Sequence, residues 1–166
     1  MNWAKSYEPI MIDFTSDKWG RVYIKADILK SDLLSFDEIE FKLDTASDFV
    51  TLSMTDLYKL GYTDEHLRTC PTHGIVTTAD GKEIVLQYLT NISIKFEDRE
   101  FQQVKVYFAI GTKMRTLFGN NILKYFNLTI DRDKGFVALN RRTTEPTLSA
   151  GELPLQIYSL QGKNQP

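Results

Sequence analysis

The sequence predicts an all-β, barrel-like domain carrying one or two short helices. Three observations lead there. Short stretches alternate apolar and polar residues with a period of two, as half-buried strands do. Turns rich in Gly, Asp and Asn separate these stretches at short intervals. Helical spacing is confined to two brief segments.

Residues 1–20 are mixed and weakly patterned and read as an N-terminal extension. Val22, Ile24, Ala26 and Ile28 then alternate with Tyr23, Lys25 and Asp27 as a first strand. Residues 29–37 connect it, as an irregular loop or a helical turn, to a second strand. There Ile39, Phe41 and Leu43 alternate with Glu38, Glu40 and Lys42 and lead into Asp44. Ser53 suits a helix N-cap, Asp56 a weak capping box and Gly61 a C′ residue. A short helix over 54–60, with Leu57 and Leu60 inward, follows. Residues 61–73 hold both histidines and Cys70 and read as a loop.

Residues 75–86 form a predicted hairpin turning near Asp80-Gly81, a pair suited to a tight primed turn. Ile92, Ile94 and Phe96 give another strand, Glu97 to Arg99 a turn, and Val104, Val106 and Phe108 the strand after it. Leu117 to Phe126 runs through Gly119 into a short helix with Ile122, Leu123 and Phe126 on one face. Leu128 and Ile130 enter a closing hairpin that returns as residues 136–139. The chain from 140 is polar and proline-bearing, with Leu153, Leu155, Ile157 and Leu160 spaced to dock as a strand. The expected organisation is a 21–140 domain between a 1–20 extension and a 141–166 tail.

The composition bounds the function. With 166 residues and 42% hydrophobic content the chain can bury a real core. A net charge of −2 and the lack of a Lys/Arg run argue against a nucleic-acid footprint. Cys70 stands alone, which fits a reducing compartment. The N-terminus lacks a signal-peptide pattern, and no apolar run approaches the ~20 residues of a membrane span. A cytoplasmic protein with no nucleic-acid or membrane partner is the expectation.

Asp44-Thr45-Ala46-Ser47, on its own, is an ordinary turn at a strand end. The order of parts says more. A strand ends in Asp-Thr-small-Ser, a hairpin with Gly at its tip follows, then an apolar-apolar-Gly segment enters a short helix before a closing hairpin. This order resembles the retropepsin-like aspartic proteases, the class of the retroviral proteases. Asp44-Thr45-Ala46-Ser47 is similar to their Asp-Thr-Gly-Ala/Ser loop. Thr78, Ala79, Asp80 and Gly81 stand at the tip of their flap. Leu117-Phe118-Gly119-Asn120-Asn121-Ile122-Leu123 resembles their apolar-apolar-Gly-x-Asp/Asn segment. The resemblance covers roughly residues 20–140.

The resemblance implies a closed β-barrel of the acid-protease fold and peptide-bond hydrolysis without metal or cofactor. Asp44 would be catalytic, with Thr45, Ala46 and Ser47 supporting its loop. The chain carries one such loop, so activity implies a homodimer with one Asp44 from each chain. The Thr45 hydroxyl would brace the opposite loop, and an extended peptide substrate would lie under the flap. Ile75, Val85 and Phe108 are candidates for lining its side-chain pockets. Two departures stand out. Ala46 replaces the usual Gly, and at a position of positive φ a methyl costs about 1–2 kcal/mol. Asn120 stands where retroviral members carry Arg. These leave a catalytically inactive dimerisation or peptide-binding module as the alternative, and an unrelated small β-barrel as the third.

Other groups carry weaker signals. Cys70 and His73 could pair as thiol and base, but match no cysteine-protease spacing. His66, His73, Asp64 and Glu65 match no metal-site spacing. Asp131 and Asp133 fit a turn better than a calcium loop. Trp3, Tyr7 and Trp19 fit core or barrel-end packing better than a partner-binding patch.

Overall fold

The computed structural model describes residues 8–160. Trp3 and Tyr7 lie outside them. The architecture is one connected β-sheet system with three short helices. β1 (Ile10–Ser16) pairs antiparallel with β2 (Val22–Leu29), which pairs along its length with β3 (Phe36–Leu43). The alternation seen in the sequence becomes burial: Val22, Ile24, Ala26 and Ile28 face the core and their odd-numbered neighbours do not. β1 arises from the segment read as an unpatterned extension. Ile10 and Ile12 are buried, and their strand pairs on its other edge with β9 (Phe136–Arg141).

The β2–β3 connection is a compact loop. Asp32 holds it by accepting from the N–H groups of Leu34 and Ser35 and from the Ser35 hydroxyl. Ser31 N–H donates to the Leu60 carbonyl at 2.9 Å and ties the loop to the end of α1 (Met54–Lys59). Ser53 caps α1 by accepting the Asp56 N–H at 3.1 Å, and Leu57 and Leu60 are fully buried. The second half of the expected capping box is relayed. Ser53 N–H donates to Thr116 Oγ1 at 2.9 Å, and that hydroxyl donates to Asp56 Oδ2.

The segment 61–73 is not all loop. Thr63 caps α2 (Asp64–Arg68), and Leu67 is its one buried residue. The chain then forms β4 (Thr72–Thr77) and β5 (Glu83–Phe96), a single 14-residue strand where the sequence suggests two. The pattern breaks because β5 and β6 (Arg99–Phe108) shift register near Asn91 and Gln103, both at positive φ. Each bulge changes which face the alternation addresses.

β7 (Leu117–Phe118) lies parallel to β3, with Leu43 opposite Phe118. α3 (Asn120–Leu123) follows, then the hairpin of β8 (Phe126–Asp131) and β9. β10 (Gln156–Ser159) adds antiparallel to β6, burying Ile157. The main strand path is β10-β6-β5-β2-β1-β9-β8. It has two ends, so the closed barrel implied by the resemblance is not found among the described residues; the sheet is open. No helix among them is long and apolar enough to cross a membrane.

The core centres on aromatic rings in series. Phe118 meets Phe41 and Phe96 edge-on at 5.6 and 5.5 Å between centroids, and Phe96 meets Phe101 at 5.7 Å. Such contacts add about 0.5–1.5 kcal/mol each beyond burial. They place a stiff floor beneath the end of β3.

The donors around Asp32, the Leu34 N–H first, hold its carboxyl at about 2 against an ordinary 3.8. A depressed acid stabilises the fold above its unfolded value and loses that contribution as pH falls through the folded value. Denaturant titration of wild type and Asp32→Ala is therefore expected to show a stability gap that is full above pH 4 and closes toward pH 2. A gap independent of pH would remove the carboxylate from the account.

Candidate active site

Asp44 leaves the sheet at the end of β3 and is fixed first through its backbone. Its N–H donates to the Phe118 carbonyl at 3.1 Å, and the Lys42 N–H donates to the Thr116 carbonyl at the same distance. The parallel β3–β7 ladder thus continues one step past Leu43. The half-buried Asp44 carboxylate accepts the Ala46 N–H on Oδ1 at 3.0 Å, and the Ser47 N–H donates to the Asp44 carbonyl at 3.2 Å. These bonds fold 44–47 into an Asx-type turn. Among the described residues Asp44 Oδ2 has no hydrogen-bond partner.

The rest of the loop is held from the segment seventy residues on. Ser47 Oγ donates to the Phe49 carbonyl at 2.8 Å. The N–H groups of Asn120 and Asn121 donate to the carbonyls of Ser47 and Asp48 at 2.9 and 3.0 Å. Loop carbonyls therefore satisfy the first free donors of α3, which has no side-chain cap. Asn120 Nδ2 donates to the Thr45 carbonyl at 2.6 Å. Asn121 Oδ1 accepts the Val50 N–H at 2.6 Å, while its Nδ2 donates to the Lys105 carbonyl at 3.0 Å.

Gly119 makes this possible. A Cβ there would stand 2.2 Å from the Phe49 carbonyl oxygen and 2.7 Å from that of Ser47. Ala46 behaves otherwise. Among the described residues, the non-glycine ones with positive φ are Leu33, Asn91, Glu97 and Gln103, so the strain considered for its methyl is not incurred. Thr45 and Ala46 are exposed.

The β4–β5 hairpin carries Thr78, Ala79, Asp80 and Gly81 at its tip. Thr78 N–H donates to the Lys82 carbonyl at 2.8 Å and Gly81 N–H to the Thr78 carbonyl at 2.9 Å. Only Gly81 of these has positive φ. The turn is thus a three-residue loop ending in a glycine bulge, rather than the primed turn suggested by Asp-Gly. Asp80 takes the Thr78 hydroxyl, which with the Lys82 N–H draws its carboxyl below the usual range. Ile75 and Val85 lie opposite each other on this hairpin and are 67% and 53% exposed. Phe108 is wholly buried and cannot line a pocket.

On one side of the loop Phe49 stacks on Tyr107 at 4.2 Å and meets His73 edge-on at 5.2 Å. A depression of about 760 Å³ opens beside them, with residues 149–153 along its rim. Glu152 anchors that rim by pairing with Lys124 at 2.6 Å. A second cleft, of about 640 Å³, runs along β3 past Lys42 to Thr116. Neither was legible from motif spacing, because each joins residues from four or more segments.

The weaker candidates separate in space. Burial pushes the Cys70 thiol up, and its Sγ lies 3.6 Å from the His66 carbonyl while His73 packs on Phe49 and Tyr107. Asp131 accepts the Lys134 N–H in a turn. Trp19 does not pack inward: it is 68% exposed, with Lys18 and Arg21 against its ring. Among the described residues no three His, Cys, Asp or Glu side chains are placed to hold a metal ion.

A β-rich fold with an Asp-Thr loop clasped by a Gly-Asn-Asn segment defines a retropepsin-like protein. A family model described as aspartyl protease matches residues 35–122, from β3 through α3. The chain belongs to the aspartyl protease family. Among solved structures it is similar to the crystal structure of a retropepsin-like aspartic protease from Rickettsia conorii. The two share 25% identity and a TM-score of 0.55 over 81% of this chain and 91% of that one. None of the curated proteins matches the chain.

Two substitutions in this loop are expected to move stability in ways a simple family comparison would not suggest. Gly119→Ala should cost about 3 kcal/mol or more, since backbone must move to admit the methyl. Ala46→Gly should cost about 0.4–1 kcal/mol through unfolded-chain entropy rather than relieve strain. Urea denaturation reads both, and a stabilised Ala46→Gly protein would mean that the methyl is strained.

Proposed function

We propose that the protein is an aspartic endopeptidase acting as a homodimer, with the two Asp44 carboxylates sharing one site. The observation that carries this reading is the state of Asp44. It is fixed through its backbone and Oδ1, its Oδ2 is unengaged, and its exposed neighbour Thr45 is free to meet a partner loop. Membership of the aspartyl protease family supports the reaction class. The single Asp-Thr loop supports a two-fold dimer, since such symmetry brings the same loop from each chain to the axis.

The chemistry follows from charge. Two carboxylates at close range cannot both ionise, so they hold one proton between them. The ionised carboxylate takes a proton from a bound water as that water's oxygen bonds to the peptide carbonyl carbon. The protonated carboxylate donates to the carbonyl oxygen. On collapse of the tetrahedral species a hydroxyl proton returns to the carboxylate that gave one up, the C–N bond breaks, and the leaving nitrogen takes the proton that came from the water. Asn120 holds the loop from within the chain through Thr45, the place where retroviral members use Arg. The hairpin around Gly81 offers strand edges to an extended peptide. The cytoplasm suits a chain with a lone cysteine.

Asp44→Asn is expected to lower cleavage of a peptide library by roughly 10³–10⁴-fold while leaving the fold intact. Mixed with wild type under subunit exchange, it should reduce activity as the square of the wild-type fraction. Unchanged cleavage by the Asn protein would sink the assignment; a linear dependence would sink the shared site. Peptide binding without any wild-type cleavage would favour the inactive module.

The rate should also fall on both sides of one pH optimum. A second proton removes the base at low pH, and loss of the shared proton removes the acid at high pH. Initial rates measured across pH on one cleaved peptide check this. A rate that rises to a plateau with no alkaline fall would exclude a shared proton.

A further inference from the structure

The cleft along β3, whose lining reaches Lys42 two residues before Asp44, carries positive charge on a chain whose net charge is −2. Four cations line it, Arg21, Lys42, Lys113 and Arg115, together with Glu40 and Asp56. Two of these six charges are already engaged. Arg21 Nε lies 2.6 Å from Asp17 Oδ2. Asp56 Oδ2 accepts the Thr116 hydroxyl. Glu40 makes no ion pair among the described residues, because Lys25, opposite it in the β2–β3 ladder, pairs with Glu38. Lys42, Lys113 and Arg115 outnumber Glu40, and none of the three makes an ion pair among the described residues.

The position of this charge matters as much as its sign. Lys42 precedes Asp44 by two residues, and the ladder with β7 is continuous through both. The two side chains therefore leave the same face, about 6–7 Å apart along the strand. Lys113 and Arg115 rise from the segment just before β7, whose Thr116 carbonyl accepts the Lys42 N–H. An extended peptide advances about 3.3 Å per residue. A side chain two or three positions from a bond held at Asp44 would thus reach the three cations. They need break no existing pair to receive it.

We infer that this cleft selects substrates by charge: it takes the carboxylate of an Asp or Glu side chain on an extended peptide, within a few residues of the cleaved bond. The inference rests on the aspartic endopeptidase reading. It adds a substrate class, acidic peptides, and assigns Lys42, Lys113 and Arg115 as the residues that specify it.

A degenerate peptide library digested by the wild-type protein and read by mass spectrometry tests it. Asp and Glu should be enriched at one or two positions near the cleaved bond. For one cleaved peptide, the kcat/KM ratio of its Glu form to its Gln form should be about fivefold to tenfold at low salt and shrink as salt is added. The double variant Lys113→Gln/Arg115→Gln changes exposed side chains and should bring that ratio close to one. Lack of acidic enrichment, or a ratio untouched by the double variant, overturns the inference. If the wild type cleaves nothing, the endopeptidase reading has failed by itself. Fluorescence anisotropy of labelled Glu and Gln peptides on the wild-type and double-variant proteins then still decides the cleft's preference. Equal affinities would remove it.

Discussion

The close approach of Gly119 to the loop after Asp44 is the constraint on which the site depends. Backbone meets backbone there, with no room for a side chain carbon between Gly119 and the carbonyls of Ser47 and Phe49. Because the two segments touch so closely, the N–H groups of Asn120 and Asn121 can reach loop carbonyls, and their side chains can reach Thr45, Val50 and Lys105. The loop's own bonds make its turn. Its position is fixed by a segment seventy residues away, whose α3 thereby has no need of a capping side chain.

That clasp is anchored in the core through Phe118. Its carbonyl takes the Asp44 N–H, while its buried ring sits between Phe41 and Phe96. One residue therefore couples the position of the carboxylate to packing that interiors resist changing. Thr116, two residues earlier, links the same ladder to α1 by passing a hydrogen bond from Ser53 to Asp56. The carboxylate is held on structure rather than on a free loop, which is what precise placement of a reacting group requires.

Much of this was legible in the chain, and the exceptions have physical causes. β2 and β3 follow from alternation because one face of each is buried and the other is wet. α1 follows from its cap and its two inward leucines. The pairing of Asp44 with Gly119 follows from the order of motifs. β1 was hidden because its alternation is brief, and its second edge partner, β9, lies more than a hundred residues away. α2 was hidden because five residues burying one leucine give no period to see. The bulges in β5 and β6 erased the phase of the alternation, so one long strand read as two. The cationic cleft could not be seen because Arg21, Lys42 and Arg115 are isolated in sequence and meet only in the folded chain.

The two departures from the family pattern also look different in three dimensions. Ala46 lies outside the left-handed region, so its methyl asks nothing unusual of the backbone. Asn120 reaches the Thr45 carbonyl of its own loop. The Asp44 loop is thus complete within one chain. On the proposed dimer, association would then supply the second carboxylate rather than fold the first. The cost of ordering the loop falls on folding of the chain rather than on association, so even a weak dimer would meet with both loops already shaped.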